Sequence, residues 1–172
     1  NGMGAQLSCQ GDRPRMLELF AFGDESWDGV SDVFSIQGSR LGEHTRVLII
    51  DHLTPGSAMI LPLAEITAVC HERGVLVLAD GAHVPGNIAV DIDSFGVDWY
   101  VANLHKWAWA PRSAGLLWSA KQHHEYLHPT VISWGLDHGI AAEFDLLGTR
   151  DPSHYLTAPF AIRLLNEFGG PE

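Results

Sequence analysis

The sequence predicts an α/β fold built around a parallel β-sheet. Two apolar runs, 46–51 (RVLIID) and 75–80 (VLVLAD), are short and rich in β-branched residues, which is typical of buried strands. Between them, residues 62–74 carry apolar side chains at helical spacing. A strand, a helix and a strand within about 35 residues form a βαβ unit, and the two strands of such a unit are parallel.

Local signals define the ends of this helix and the elements that follow it. Pro62 suits a first helical turn, and Gly74 suits a C-terminal cap. The remaining predicted elements are strands over 97–103 and 114–119, a short helix over 120–127 and a final helix over 153–169. Residues 1–45 show no clear pattern, and we leave them unassigned.

The composition is that of a globular domain, and it argues against several classes of function. Of the 172 residues, 46% are hydrophobic and 18% are charged, and the formal net charge is −11. Such an acidic chain lacks the clustered lysine and arginine that bind nucleic acids or anionic membranes. No apolar run is long enough to span a bilayer, and residues 1–15 show no signal peptide.

The two cysteines favour neither a disulfide framework nor a metal site. Cys9 and Cys70 form no CxxC pair and show no metal-binding spacing. Cys70 falls within the predicted helix, which indicates a buried thiol. We therefore expect a reducing, cytoplasmic location.

Polar side chains lie at or just beyond the carboxyl ends of three of the predicted strands. They are Asp51 and His52, Asp80 and His83, and His105 and Lys106. In open α/β sheets, ligands bind at the carboxyl ends of the strands. The sequence therefore places a functional site at this edge of the sheet.

Lys106 and Asp80 suggest one specific chemistry for this edge. Lys106 lies beside Trp107 and Trp109, and apolar surroundings favour the uncharged amine that acts as a nucleophile. The most demanding use of such a lysine is a Schiff base with pyridoxal phosphate, whose pyridine nitrogen needs a carboxylate such as that of Asp80. A solvated surface lysine is the alternative, and the spacing alone does not exclude it.

Four segments carry a resemblance to a known family. They are DHLTPGSAMILPL (51–63), DGAHVPG (80–86), NLHKWAWAP (103–111) and GTRDPS (148–153). Together they resemble the class V aminotransferases among the fold-type I pyridoxal-phosphate enzymes, most of all the isopenicillin-N-epimerase-like branch. The resemblance covers residues 46–168 and implies a three-layer α/β/α fold with a mainly parallel sheet, as part of the large domain of such an enzyme.

The resemblance assigns three residues to the reactive part of the cofactor. Lys106 matches the lysine that forms the Schiff base and shuttles the α-proton. Asp80 matches the acid paired with the pyridine nitrogen. His83 matches the position whose side chain contacts the ring hydroxyl.

Three further residues are implied as cofactor contacts. Thr54 lies where the family often places another polar contact to the ring hydroxyl. His105 matches the residue before the lysine, which usually contacts the cofactor phosphate. Thr149 matches a residue that reaches the phosphate of the neighbouring subunit, which implies a homodimer with shared active sites.

Members of the family are much longer than this chain, and we expect two of their parts to be absent here. One is the upstream Gly/Ser/Thr loop that holds the cofactor phosphate at a helix N-terminus. The other is the C-terminal small domain with its arginine for the substrate carboxylate. Residues 46–172 are thus expected to be a partial cofactor-binding large domain that binds the cofactor weakly by itself.

The implied reaction is on an amino acid, through a lysine aldimine, and is an epimerisation, a transamination or a C–S lysis. Whether the chain is active alone stays open. A non-catalytic remnant of the same fold is one alternative. A metal-dependent hydrolase is the other, with a ligand set drawn from Asp51, His52, Asp80, His83 and His105.

Other side chains have a simpler structural explanation. Three histidines are expected to form a solvated helix face, although one i,i+4 pair among them has the spacing of a metal site: His123, His124 and His128. Apolar faces without a partner, including an unpaired strand edge at 46–51 or 114–119, predict self-association.

Overall fold

The computed structural model describes residues 4–8, 15–20 and 44–171. The strands in this part of the chain are β1 (Gly4–Ser8), β2 (Arg15–Phe20), β3 (Thr45–Asp51), β4 (Leu76–Asp80), β5 (Trp99–Asn103) and β6 (Gly115–Ser119). The helices are α1 (Leu63–Glu72), α2 (Ile140–Asp145) and α3 (Ser153–Glu167), with short 3₁₀ turns at Ile92–Phe95 and Lys121–His123. Cys9 lies outside the described residues. So does most of the segment 1–45, from which we expected the phosphate-binding loop to be absent.

All of these strands form one sheet in the order β1-β2-β3-β4-β5-β6. The pairs β2/β3, β3/β4 and β4/β5 are parallel, whereas β1 and β6 pair antiparallel with their neighbours. The mainly parallel sheet of an α/β fold is therefore confirmed. Residues that the sequence left unassigned contribute β1 and β2.

One face of the sheet packs against α1 and forms the core. Leu48 of β3, Val77 of β4 and Tyr100 of β5 point to this face and are fully buried. Ile66 and Cys70 of α1 cover them, because residues four apart lie on one helix face. Cys70 is 0% exposed, which confirms the buried thiol, and this burial raises the pKa of the thiol to about 11.

A buried carboxylate ties three elements together at the amino end of β5. Asp98 is 2% exposed and accepts hydrogen bonds from Nε2 of His71 at 2.9 Å and Nε2 of His123 at 2.6 Å. It also accepts the backbone N–H of Val77 at 2.7 Å. The end of α1, the sheet and the turn after β6 are thereby joined far from the carboxyl edge.

Two expectations about local structure are wrong. The helix predicted over 120–127 is only the 3₁₀ turn Lys121–His123, and its histidines do not form one solvated face. His124 instead hydrogen-bonds the carbonyl oxygen of Ser119 at 2.9 Å, and His128 binds a carboxylate on α2. The expected unpaired edge at 46–51 or 114–119 is found at the second of these strands: β2 and β4 flank β3, whereas β6 lies at the edge of the described sheet.

Within the described residues, no helix has both the length and the apolar character needed to cross a membrane.

Candidate active site

The carboxyl ends of β3 and β4 place two acids side by side. Asp51 and Asp80 are register partners and are the last residues of their strands. Both point away from the α1 face, since side chains alternate along a strand and the preceding residues, Ile50 and Ala79, are buried in the core. This edge is where the sequence placed the site.

The loop after β4 is held tightly against β5 and its loop. The Gly81 N–H donates to the carbonyl oxygen of Val101 at 2.7 Å, and a Cβ at Gly81 would lie 2.2 Å from the Tyr100 hydroxyl oxygen. Gly86 has a positive φ of 91°, and a Cβ there would lie 2.3 Å from the carbonyl oxygen of Trp107. Glycine at both positions lets the two loops approach closely.

This packing brings His83 together with Lys106 and Trp107. Nζ of Lys106 lies 3.2 Å from Nε2 of His83. The indole N–H of Trp107 donates to Nδ1 of the same ring, also at 3.2 Å. Burial and the charge of Lys106 lower the pKa of His83, and the Asp80 carboxylate opposes them. The imidazole is therefore neutral at neutral pH.

Asp80 lines a cleft of about 1000 Å³ on the sheet face opposite α1. Its Oδ1 accepts the N–H of Ala82 at 2.8 Å, which orients the carboxylate. The remaining walls come from β5, β6 and the segments around α2 and α3, with apolar side chains that include Leu117, Ile140, Phe144, Leu147 and Tyr155. His83, His105 and Lys106 are not among the lining residues.

His105 lies in the loop between β5 and β6. Its Nδ1 donates to the carbonyl oxygen of Ala114 at 3.0 Å, because a carbonyl oxygen can only accept. Nε2 is then the ring nitrogen left for a ligand within the described part of the chain. It can donate to a phosphate only when the ring is protonated.

Thr54 and Thr149 differ sharply in accessibility. Thr54 is 1% exposed, and its hydroxyl hydrogen-bonds Ser57 at 2.7 Å and accepts the N–H of Met59 at 2.9 Å. That hydroxyl holds its own turn and reaches a cofactor only if the turn opens. Thr149 is exposed in the turn before α3, next to Arg150, which lines the cleft.

His52 is structural in this arrangement. It is 3% exposed, and its Nδ1 lies 2.8 Å from the Tyr100 hydroxyl oxygen. Burial lowers the pKa of His52. Burial, and to a lesser extent the charge of Asp80, raises the pKa of Tyr100.

Among the described residues, no three or more His, Cys, Asp or Glu side chains are grouped to hold a metal ion.

Sequence reasoning missed two features of the site. Trp107 was noted only as an apolar neighbour of Lys106, although it binds His83 directly. The cleft walls around α2 were also missed. Gly86, the last residue of DGAHVPG, was the available signal for the contact between Trp107 and His83. A glycine can mark a position where another backbone approaches closely.

Residues 28–140 match the Aminotransferase class-V family. The chain belongs to this family. The resemblance inferred from the four segments is thereby confirmed.

Curated relatives share this region at moderate identity. An L-cysteine desulfhydrase of Arabidopsis thaliana is 36% identical over 136 residues, which is 78% of this chain and 30% of the relative. An isopenicillin N epimerase of Streptomyces clavuligerus is 32% identical over 147 residues, which is 76% of this chain and 37% of the relative. The chain thus spans about a third of the length of these relatives.

A solved structure supports the same assignment. The cystine C–S lyase C-DES, in complex with its reaction product cysteine persulfide, superposes with a TM-score of 0.68 at 28% identity, covering 80% of this chain and 40% of that one. A mutant of the same lyase is described with glycine covalently linked to its PLP cofactor.

Proposed function

We propose that this chain is the part of a pyridoxal-phosphate enzyme that holds the reactive end of the cofactor, and that the enzyme acts on an amino acid by C–S lysis or epimerisation. One observation carries the proposal: the amine of Lys106 lies 3.2 Å from the His83 imidazole, on loops that leave the strand edge where Asp80 ends β4. The names of the relatives supply the two reaction types.

The donor set at this edge fits the cofactor. Lys106 is exposed, so its amine is accessible to an aldehyde. Asp80 is half-buried and oriented by the Ala82 N–H, as a carboxylate facing a pyridine N–H needs to be. When bound, pyridoxal phosphate supplies an electron sink for negative charge at the substrate carbon.

Each residue then has a distinct task. Lys106 would hold the cofactor covalently through its Nζ, and the same amine would carry the proton of the substrate carbon. Asp80 keeps the pyridine nitrogen protonated, and His83 donates to the ring hydroxyl. His105 contacts the phosphate when its ring is protonated, and Thr54 is a contact that depends on the opening of its turn.

A homodimer and a cytoplasmic location complete the proposal. Thr149 is exposed in the turn before α3, as a residue that reaches a neighbouring subunit must be. Several large apolar side chains of α3 are also exposed, namely Tyr155, Leu156 and Phe160. The buried, unpaired Cys70 is compatible with a reducing compartment.

Borohydride trapping tests the assignment of the lysine. The chain is incubated with saturating pyridoxal phosphate, reduced with borohydride and mapped by peptide mass spectrometry. We expect the label on Lys106, and we expect Lys106→Arg to lose it. Lys121, which is also exposed, is the internal control. A label on Lys121 alone, or on no lysine, overturns the proposal and favours a non-catalytic remnant of the fold.

A further inference from the structure

We propose that Glu143 and His128 form a latch that holds helix α2 as a wall of the cleft beside Asp80, and that release of this latch opens the candidate active site. The latch is the contact between these two side chains, together with the Asp137 N–H that Glu143 also binds. The contacts themselves do not depend on the function proposed above. Their role in regulating access to a cofactor rests on it.

Helix α2 presents two opposite faces. Successive residues of an α-helix lie about 100° apart around its axis. The residues of α2 that line the cleft are Ile140, Ala141, Phe144 and Asp145. At this spacing they occupy one side of the helix, whereas Ala142 and Glu143 fall on the opposite side. Contacts that fasten the second face therefore hold the cleft wall in place.

The second face is fastened through a buried carboxylate. Glu143 is 6% exposed, and its Oε2 accepts a hydrogen bond from Nδ1 of His128 at 2.6 Å. Its Oε1 accepts the N–H of Asp137 at 3.3 Å. A Cβ at Gly135 would lie 2.0 Å from the carbonyl oxygen of Ala142, so the backbone between these two contacts lies directly against α2. The segment 128–137 and the helix are thus joined.

The helix depends on this fastening because little else stabilises it. Six residues are too few for a stable isolated helix. The apolar side chains of Ile140 and Phe144 remain half-buried, whereas the charged Glu143 is buried. A buried charge that loses its partner is strongly destabilising. Loss of the bond from His128 should therefore release α2 and widen the cleft at this wall.

Protonation of His128 makes the latch sensitive to pH. The hydrogen bond to Glu143 raises the pKa of His128, burial opposes this rise, and the charges of Glu143 and Asp137 add to it. Within the described residues, these two carboxylates are the charged groups that act on the ring. As pH rises through the pKa, the ring loses its charge, and only the neutral tautomer with its hydrogen on Nδ1 can still donate to Glu143. The latch should therefore be closed in mildly acidic solution and released in alkaline solution.

Hydrogen–deuterium exchange and carboxyl footprinting of the full chain without cofactor test the latch. In Glu143→Gln, the amides of α2 should exchange about 10- to 100-fold faster than in the wild type, the change expected for loss of a hydrogen bond to a charged group. Labelling of the half-buried Asp80 by a carbodiimide and an amine should increase at the same time. Glu125→Gln, which removes an exposed carboxylate three residues before His128, should change neither readout.

His128→Lys guards against simple loss of structure and isolates the role of the charge. A lysine amine keeps its positive charge well above the pKa of a histidine. The amides of α2 should therefore stay protected from exchange in this variant in alkaline solution, in which the wild type loses protection. Exchange is compared as protection relative to the intrinsic rate at each pH, and circular dichroism checks the fold.

Three outcomes would overturn the proposal. They are unchanged α2 exchange in Glu143→Gln, Asp80 labelling that does not rise with the exchange, and the same alkaline loss of protection in His128→Lys as in the wild type. Borohydride trapping on the same samples separates the two ideas. A labelled Lys106 with no effect of Glu143→Gln refutes only the latch, whereas an intact latch without cofactor label at Lys106 refutes only the proposed function.

Discussion

Gly86 and Trp107 lie so close that no side chain fits between their backbones. A Cβ at Gly86 would approach the carbonyl oxygen of Trp107 to 2.3 Å, and the φ of Gly86 is 91°. The loop after β4 and the loop after β5 meet at this point. The approach of Lys106 to His83 therefore depends on the close contact between Gly86 and the backbone of Trp107.

We expect Gly86→Ala to destabilise the chain and to separate the two loops. The positive φ alone costs on the order of 1–3 kcal/mol for a residue with a Cβ, and the clash with the Trp107 backbone adds to it. Chemical denaturation should show a lower free energy of unfolding than in the wild type. The rate at which an amine-selective reagent acylates Lys106 should also differ from the wild-type rate.

Gly169→Ala is the control for this substitution. Gly169 has a similar φ of 105°, but a Cβ there meets no atom within 4 Å. It should carry the strain without the clash and leave Lys106 acylation unchanged. Equal effects of the two substitutions on Lys106 would show that loop contact does not position the lysine.

Asp80→Asn should weaken function while preserving the fold. The amide oxygen can still accept the Ala82 N–H, so the free energy of unfolding should change little. A hydrogen bond to a charged group contributes about 1.5–3 kcal/mol, which corresponds to about a 10- to 100-fold loss in cofactor affinity or turnover.

Absorbance titration with pyridoxal phosphate measures this loss, and circular dichroism checks the fold. Asp91→Asn is the control, because Asp91 is exposed and uses its backbone carbonyl oxygen, which accepts the Ser94 hydroxyl at 2.7 Å. Unchanged affinity and turnover in Asp80→Asn would remove Asp80 from the site.

The sequence was sufficient for four strands of the described sheet, β3 to β6, and for the edge that carries the site, but not for β1 and β2. Parallel strands align their carboxyl ends, so residues at or just beyond the end of each strand, such as Asp80 and Lys106, had to share one edge. The bond between Trp107 and His83 was not predictable, because it depends on how two loops pack in three dimensions. Helix α2 was missed for another reason: six residues are too few to show a helical period.

Asp98 should make the stability of the chain sensitive to acid. Burial alone would raise the pKa of Asp98, but the hydrogen bonds from His71, the Val77 N–H and His123 outweigh it and lower the pKa. A carboxylate with a lowered folded pKa stabilises the fold above its unfolded pKa of about 3.9, and this contribution is lost as pH falls through the folded value.

Asp98→Asn tests this contribution. It should cost about 1–3 kcal/mol at neutral pH, because buried donors lose their charged acceptor, and it should flatten the decline of unfolding free energy below about pH 4. The control is Asp151→Asn, since Asp151 also has a lowered pKa, through its bonds with Ser153, but is exposed. A decline in acid that is as steep in Asp98→Asn as in the wild type would contradict the assignment.

His128 and Glu143 should give the opposite pH dependence. Glu143 on α2 is 6% exposed, and its Oε2 lies 2.6 Å from Nδ1 of His128. Its Oε1 accepts the N–H of Asp137 at 3.3 Å, so the carboxylate fastens both ends of the segment 128–137.

The hydrogen bond to Glu143 raises the pKa of His128 above its ordinary value of about 6.5. A group with a raised folded pKa contributes its full stabilisation below the unfolded pKa and loses it as pH rises through the folded value.

His128→Gln should therefore lower the free energy of unfolding most in mildly acidic solution, and its difference from the wild type should shrink as the solution becomes alkaline. In the same alkaline range, the wild-type segment that carries the exposed Trp134 should become easier to cleave by chymotrypsin. His124→Gln is the control for the loss of a histidine side chain, because it removes a hydrogen bond to the backbone oxygen of Ser119 rather than one to a carboxylate. A His128→Gln deficit that stays constant or grows with rising pH would show that the protonated imidazole does not hold the segment.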